Sequence, residues 1–304
     1  MIQDLEFGYL DNHYEKHIPC DDDIVVCIKG KDVLVHRDEN RYLSLPTWGE
    51  VKNWSGCDLK INGCDWETWF ADPLQYAFTL QGKRYFLWMG KSGSPNIPNG
   101  TSNLASPEDK KYEYEPAMML RQRRSKNVCF GIMTAWHLYN WYRANLFCGK
   151  CGSKTVHDER ERMMRCPECG NMIFPRINPA VIIGIISGEK ILLANHAANT
   201  ARYGLVAGFI EIGETAEEAV AREVMEEVGL KVKNIRYYKS QPWGVAGNLS
   251  LGYFCEVDGD DTPTIDEDEL AAATWHHKDA IPEGAKDDGI SLTREMIRVF
   301  SQGE

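Results

Sequence analysis

Apolar positions follow two different periods along this chain. Near its start, short runs at 24–28, 33–36 and 84–89 have the composition and length of strands, with loops between them. Residues 90–107, rich in Gly, Ser, Pro and Asn, predict a long surface loop. At 125–145 the period changes: Val128, Ile132, Ala135, Trp136 and Tyr139 recur at helical spacing. Strand-like runs return at 180–187 and 191–194, joined by a turn at Gly188, and again at 232–238, 249–257 and 272–276. Helices are predicted at 215–228 and 291–300. No internal repeat or low-complexity tract interrupts this order.

Composition bounds the function. A chain of 304 residues is about two domains long, and with 43% hydrophobic residues and nine Trp it can build real cores. Trp48, Trp54, Trp66 and Trp69 are expected in a core or an interface. The net charge of −11 disfavours general nucleic-acid binding. It does not exclude a small phosphorylated substrate, because metal ions can supply positive charge locally. Residues 1–17 carry charges where a signal peptide would need its apolar region, and the longest apolar run, 180–186, is too short to span a bilayer. Residues 301–304 show no lipidation or address motif. The expectation is a cytoplasmic protein without a membrane partner.

Of ten cysteines, Cys20, Cys27, Cys57, Cys64, Cys129 and Cys255 are scattered, as free core thiols would be. The other four form two pairs, Cys148-Gly-Lys-Cys151 and Cys166-Pro-Glu-Cys169, fourteen residues apart. Each pair can turn tightly around one ion, and two such knuckles present four thiolates in the tetrahedral geometry that suits zinc. The spacer is one residue short of the usual range for this pattern. The alternatives are unrelated buried thiols or a redox pair; each pair is followed directly by Gly, as a metal knuckle is. With all four positions filled by protein, one structural zinc per chain is expected, with no open site for catalysis.

The segment from Gly208 to Leu230 carries the candidate chemistry. Thr215 and Glu218 form a capping box, and Gly229 suits a left-handed helix end with Leu230 beside it. Between these ends, Glu223, Glu226 and Glu227 stand at i, i+3 and i+4 and share one helix face. Val220, Val224 and Val228 form a neighbouring stripe that can dock the helix on a sheet. Three like charges repel, and only Arg222 is close in sequence. Hard divalent ions with oxygen ligands, Mg²⁺ or Mn²⁺, would resolve the conflict. Such ions can clamp a diphosphate and acidify a bound water. The alternative is a solvated acidic face.

The whole segment fits the Nudix box, G-x5-E-x7-R-E-U-x-E-E-x-G-U with U aliphatic, at every defined position. The order of parts narrows the resemblance. A four-cysteine ribbon, then Phe174-Pro-Arg-Ile-Asn-Pro179, the box, and Ser240-Gln-Pro-Trp243 resemble the NADH pyrophosphatase (NAD diphosphatase) family of Nudix hydrolases, from about Asn127 onward. The resemblance implies a Nudix α/β/α sandwich over residues 177–304. A connecting helix and small zinc ribbon would occupy 126–176, and a divergent mixed α+β domain 1–125. It implies a homodimer that hydrolyses NAD(H) to nicotinamide mononucleotide and AMP. ADP-ribose, another nucleoside diphosphate derivative and NAD-capped RNA are alternative substrates, and a catalytically inactive nucleotide sensor is an alternative of another class. A sensor need not keep Glu223, Glu226 and Glu227 together.

Carried over by position, the resemblance assigns Glu223, Glu226 and Glu227 to metal binding or water activation. The carbonyl of Ala207 and the remote carboxylate of Glu269 would be further Mg²⁺ or Mn²⁺ ligands. It assigns Phe209 to stacking on a base or nicotinamide ring. Glu161, Phe174, Gln241, Pro242, Trp243 and Asn248 fall at substrate-contacting positions, with Phe174 where the family often has Tyr. The family continues Pro-Phe-Pro-x-Ser after Trp243, where this chain has Gly244-Val-Ala-Gly-Asn248. Losing two rigid prolines while gaining two glycines predicts a freer loop and blurred selectivity among NAD⁺, NADH and ADP-ribose.

Overall fold

A computed structural model describes residues 1–5, 9–52, 74–89, 112–120, 125–196 and 203–303. Contacts divide the chain into two compact units. One comprises residues 4–176 with 244–246; the other comprises 1–3, 177–243 and 247–304. The predicted loop at 90–107, together with Trp54, Trp66, Trp69, Cys57 and Cys64, lies outside the described residues.

In the first unit a hairpin, Leu74–Leu80 and Lys83–Trp88, forms the middle of a four-stranded sheet edged by Leu10–Asp11 and Ile24–Val26. Its first arm was not predicted, although Leu74, Tyr76, Phe78 and Leu80 alternate and are all buried. A bulge between Tyr76 and Phe78 buries Ala77 as well, which blurs the two-residue period. The run predicted at 24–28 is broken. Ile24–Val26 pairs with Lys83–Trp88, while Ile28–Lys29 turns into a second sheet with Asp32–Arg37, Leu43–Ser44 and Tyr112–Pro116. The predicted helix spans Lys126–Ala144 (α1), and its Cys129, Phe130, Ile132, Met133 and Tyr142 are buried. Three two-residue strands, Val156–His157, Met164–Arg165 and Met172–Ile173, then build a small antiparallel ribbon.

The second unit is a mixed seven-stranded sheet covered by one helix on each face. Its strands include Asn178–Ser187 (β1), Lys190–His196 (β2) and Val206–Phe209 (β3). After the helix Ala216–Val228 (α2) come Val232–Trp243 (β4), Asn248–Val257 (β5) and Leu270–His277 (β6). The chain closes with the helix Leu292–Gln302 (α3). β1 runs parallel to β5 on one side and antiparallel to β3 on the other. Alternation along β2 shows how the layers form. Leu192 and Ala194 pack with Val220, Val224 and Val228 of α2, whereas Ile191 and Leu193 pack with Leu292 and Met296 of α3. Residues of opposite parity thus build two cores, and the α/β/α sandwich follows. No described helix is long and apolar enough to cross a membrane.

Candidate active site and metal centre

The local sequence of α2 sets its limits. The Thr215 hydroxyl accepts the Glu218 N–H at 3.2 Å, and the Glu218 carboxylate accepts the Thr215 N–H at 2.8 Å. Gly229 ends the helix in the left-handed conformation, φ 66°. These caps fix the register, so burying the valine stripe turns Glu223 and Glu227 towards β3.

Glu223 lies directly over Gly208. A methyl group at that position would stand 1.9 Å from the Glu223 carboxyl carbon, so Glu223 can lie there only over a bare strand. Glu227 is 3% exposed and accepts a hydrogen bond from the Ala207 backbone N–H, but its Oε2 is buried without a hydrogen-bond partner. Burial pushes its carboxyl up to about 7; the negative charges of Glu269, Glu223 and Asp266 act in the same direction. Burial also raises Glu223, against the pull of Arg222. Glu269 is exposed and belongs to an acidic turn docked on the end of α2, where the Asp266 N–H donates to the Glu227 carbonyl at 3.0 Å.

Arg222 organises the rest. It donates to both oxygens of Glu214 at 2.8 and 2.9 Å, to Glu223 at 2.7 Å, to Glu226 at 2.8 Å and to the Phe209 carbonyl at 2.9 Å. These hydrogen bonds, with one from the Glu211 N–H, hold Glu214 down at about 2. The sequence reading gave Glu214 no role, although the box contains it; Arg222 and Glu214 together tie the loop before the helix to the helix itself. One guanidinium thus serves three carboxylates. Among the described residues Glu227 and Glu269 have no cation.

The fit to a hard divalent ion follows from that imbalance. Among the described residues the donors named here are oxygens, and the orphaned Glu227 Oε2 is a buried acceptor that a cation would satisfy. The carboxylates are not drawn close together. Among the described residues, the group that gathers its ligand atoms within 4.8 Å is Cys148, Cys151, Cys166 and Cys169. Glu223 and Glu226 share Arg222, and Glu226, at 58% side-chain exposure, sits on the rim.

The four thiols fit zinc. Their sulfurs approach to 3.6 Å for Cys148–Cys169 and 3.4 Å for Cys151–Cys166. A tetrahedron with zinc–sulfur bonds of about 2.3 Å has edges of about 3.8 Å. The Lys150 backbone N–H helps to hold Cys148 down at about 6, which favours the thiolate. Elemental analysis of unchelated protein is expected to find one zinc per chain. Cys166→Ser should lower the unfolding temperature by several degrees, because the ion organises the ribbon around it. A zinc-free native protein would overturn this.

The sheet gathers some of the remaining candidates. β1 pairs Ala180 with Phe209 on one side and Asn178 with Asn248 on the other, and Trp243 faces Asn248 across the β4–β5 hairpin. Phe209, Trp243 and Asn248 therefore flank the same end of β1. Phe209 is 52% exposed, and Pro242 is exposed beside half-buried Trp243. Gln241 differs from its expected role. It is 2% exposed and its amide is consumed internally, by the Leu292 N–H, the Ile290 carbonyl and Gln3. It anchors the start of α3. In the first unit, Phe174 is exposed, and Glu161 lines a cavity of about 470 Å³ with His157, Asp158 and Arg165.

The loop after Trp243 also differs from expectation. Gly244 is buried, and a methyl group there would meet the Met133 carbonyl oxygen of α1 at 2.2 Å. The glycine is a packing requirement rather than a source of freedom.

A capped glutamate helix on a mixed sheet, with an arginine clamp and a four-cysteine ribbon before it, defines a Nudix domain with a zinc ribbon. Sequence comparison agrees. Residues 176–299 match the NUDIX domain family and residues 143–174 match the NADH pyrophosphatase zinc ribbon domain. The chain is 42% identical over 146 residues to the NAD-capped RNA hydrolase NudC of Salmonella paratyphi C, covering 48% of this chain and 56% of that protein. The protein of the same name from Mannheimia succiniciproducens is 39% identical over 150 residues, covering 47% and 56%. The chain thus spans just over half the length of these curated relatives. A solved NUDIX hydrolase from Nitrosomonas europaea covers 51% of this chain and 90% of its own, with 21% identity and a TM-score of 0.43.

Proposed function

We propose that this protein hydrolyses the diphosphate bond of NAD(H), giving nicotinamide mononucleotide and AMP, with Mg²⁺ or Mn²⁺. The observation that carries the reading is the buried carboxylate of Glu227, with no cation partner among the described residues, beside Glu223 and within reach of the charge of Glu269. Glu223, Glu227, Glu269 and the Ala207 carbonyl would hold the ions, and Glu226 stands at the rim where a water can be reached. Bound there, the ions supply charge neutralisation at the diphosphate and a more acidic water. Arg222 keeps Glu223 and Glu226 in place, and exposed Phe209 offers a face for stacking a ring. Glu161, Phe174, Trp243 and Asn248 are proposed substrate contacts. The reading also takes the protein to be a cytoplasmic homodimer built from domains at 1–125, 126–176 and 177–304; sedimentation tests the dimer.

The name of the relatives favours a second reading, NAD-capped RNA ends, while the charge of −11 works against a long RNA. The test is a panel of NAD⁺, NADH, ADP-ribose and an NAD-capped oligoribonucleotide, with each metal and the products identified. Nicotinamide mononucleotide released from the dinucleotides supports the proposal; no cleavage of any member overturns it.

Within this reading the Trp243–Asn248 loop sets selectivity. Gly244→Pro is expected to destabilise the protein by about 2 kcal/mol or more, since overpacking against a backbone carbonyl has no easy relief. Val245→Phe, which leaves Gly244 alone, should raise kcat/KM for NADH relative to ADP-ribose several-fold by adding a stacking face. Unchanged ratios for Val245→Phe would remove this loop from selectivity.

A further inference from the structure

The face of the sheet covered by α3 carries a second cavity, of about 530 Å³. It opens between the last turn of α3, at Val299 and Phe300, the β1–β2 turn, and the strand residues Tyr238 and Phe254. It is separate from the glutamates, which lie on α2 and so cover the opposite face. Its size falls in the range of small-molecule sites.

Its lining is chemically specific. Phe254 and Tyr238 meet edge to face at 5.6 Å, and with Phe300 they give an aromatic wall. Three charged groups border it. Glu189 is taken by Lys278, with the His277 ring 3.4 Å away. The Arg236 side chain has no ion-pair or hydrogen-bond partner among the described residues. Among the described lining residues, two side-chain cations against one carboxylate leave one positive charge unused, in a protein whose net charge is −11. An unpaired guanidinium and an aromatic wall bordering one cavity match a flat ring that carries one acidic group.

We infer that this cavity is a second ligand site, for a planar aromatic monoanion whose acidic group pairs with Arg236 and whose ring lies against Phe254, Tyr238 and Phe300. The site is independent of the metal centre and of the diphosphate substrate. Arg236 selects the charge, and the Glu189–Lys278 pair limits it to one.

The fluorescent probe anilinonaphthalene sulfonate has this chemistry and brightens in apolar surroundings. Titration of the full-length protein should show one saturable site per chain, unchanged by a chelator or by Glu227→Gln. Arg236→Gln should weaken binding about tenfold or more, the scale of a lost charge-assisted hydrogen bond. Glu189→Gln should strengthen it, because Lys278 is then free to join Arg236. Val299→Trp should abolish it by filling the cavity, and the two charge variants decide the matter if that one fails to fold. Fluorescence that does not saturate, or that is the same in Arg236→Gln as in the native protein, overturns the inference.

Discussion

Replacing Glu227 with Gln should cut kcat by about a hundredfold or more in Mg²⁺ or Mn²⁺, with the circular dichroism spectrum unchanged. The magnitude follows from position. Glu227 is the most buried carboxylate of the site, it has a free oxygen, and Arg222 does not reach it. Gln keeps the shape but removes the charge that would hold a cation. The same change should not weaken the metal-free protein. The folded form binds the Glu227 proton more tightly than an unfolded chain does, with a pKa of about 7 against 4.5. Metal-free stability therefore falls as pH rises through that interval. Gln lacks this liability, so at pH 8 the metal-free variant should melt at or above the native temperature, and the two should converge below about pH 4.5. Native turnover in the variant would remove Glu227 from the mechanism.

Gly208→Ala should be nearly as damaging to activity, with a different signature. The new methyl group would occupy the place of the Glu223 carboxyl, 1.9 Å from its carbon. That carboxyl is the end of a side chain and can swing aside, so the fold should lose little. The displaced ligand should lower kcat by roughly tenfold to a hundredfold, the scale of an ångström of misplacement in a catalytic constellation. Adding Glu223→Asp, one methylene shorter, should recover part of the loss. If Gly208→Ala keeps native kcat and metal dependence, Glu223 does not act from over this strand.

Both variants lie inside a segment whose residues were readable in advance, and the reasons differ by residue. The ends of α2 are local: Thr215 with Glu218, and Gly229, act within a few residues of themselves. The valine stripe needs only helical periodicity and a sheet to dock on, and the cysteine pairs need only their spacing. The strand Leu74–Leu80 was missed because its bulge breaks the alternation. The break after Val26 was missed because Ile28 continues the apolar run while pairing with a different sheet.

Other features were out of reach for a stronger reason. Nothing near Gln241 in sequence indicates that the Leu292 N–H and Ile290 carbonyl, some fifty residues away, consume its amide. Nothing near Gly244 announces the Met133 carbonyl, so the loop read as loose when it is packed. The sequence by itself determined the helix that carries the glutamates, its limits, its docking face and the four-thiolate ribbon, because each depends on groups a few residues apart. Tertiary structure alone decided which glutamate is buried with no cation among the described residues, which glycine makes room for a carboxylate, and that Arg236 borders an aromatic cavity. Those outcomes depend on burial and on contacts between distant segments, which exist only once the sheet has brought the strands together.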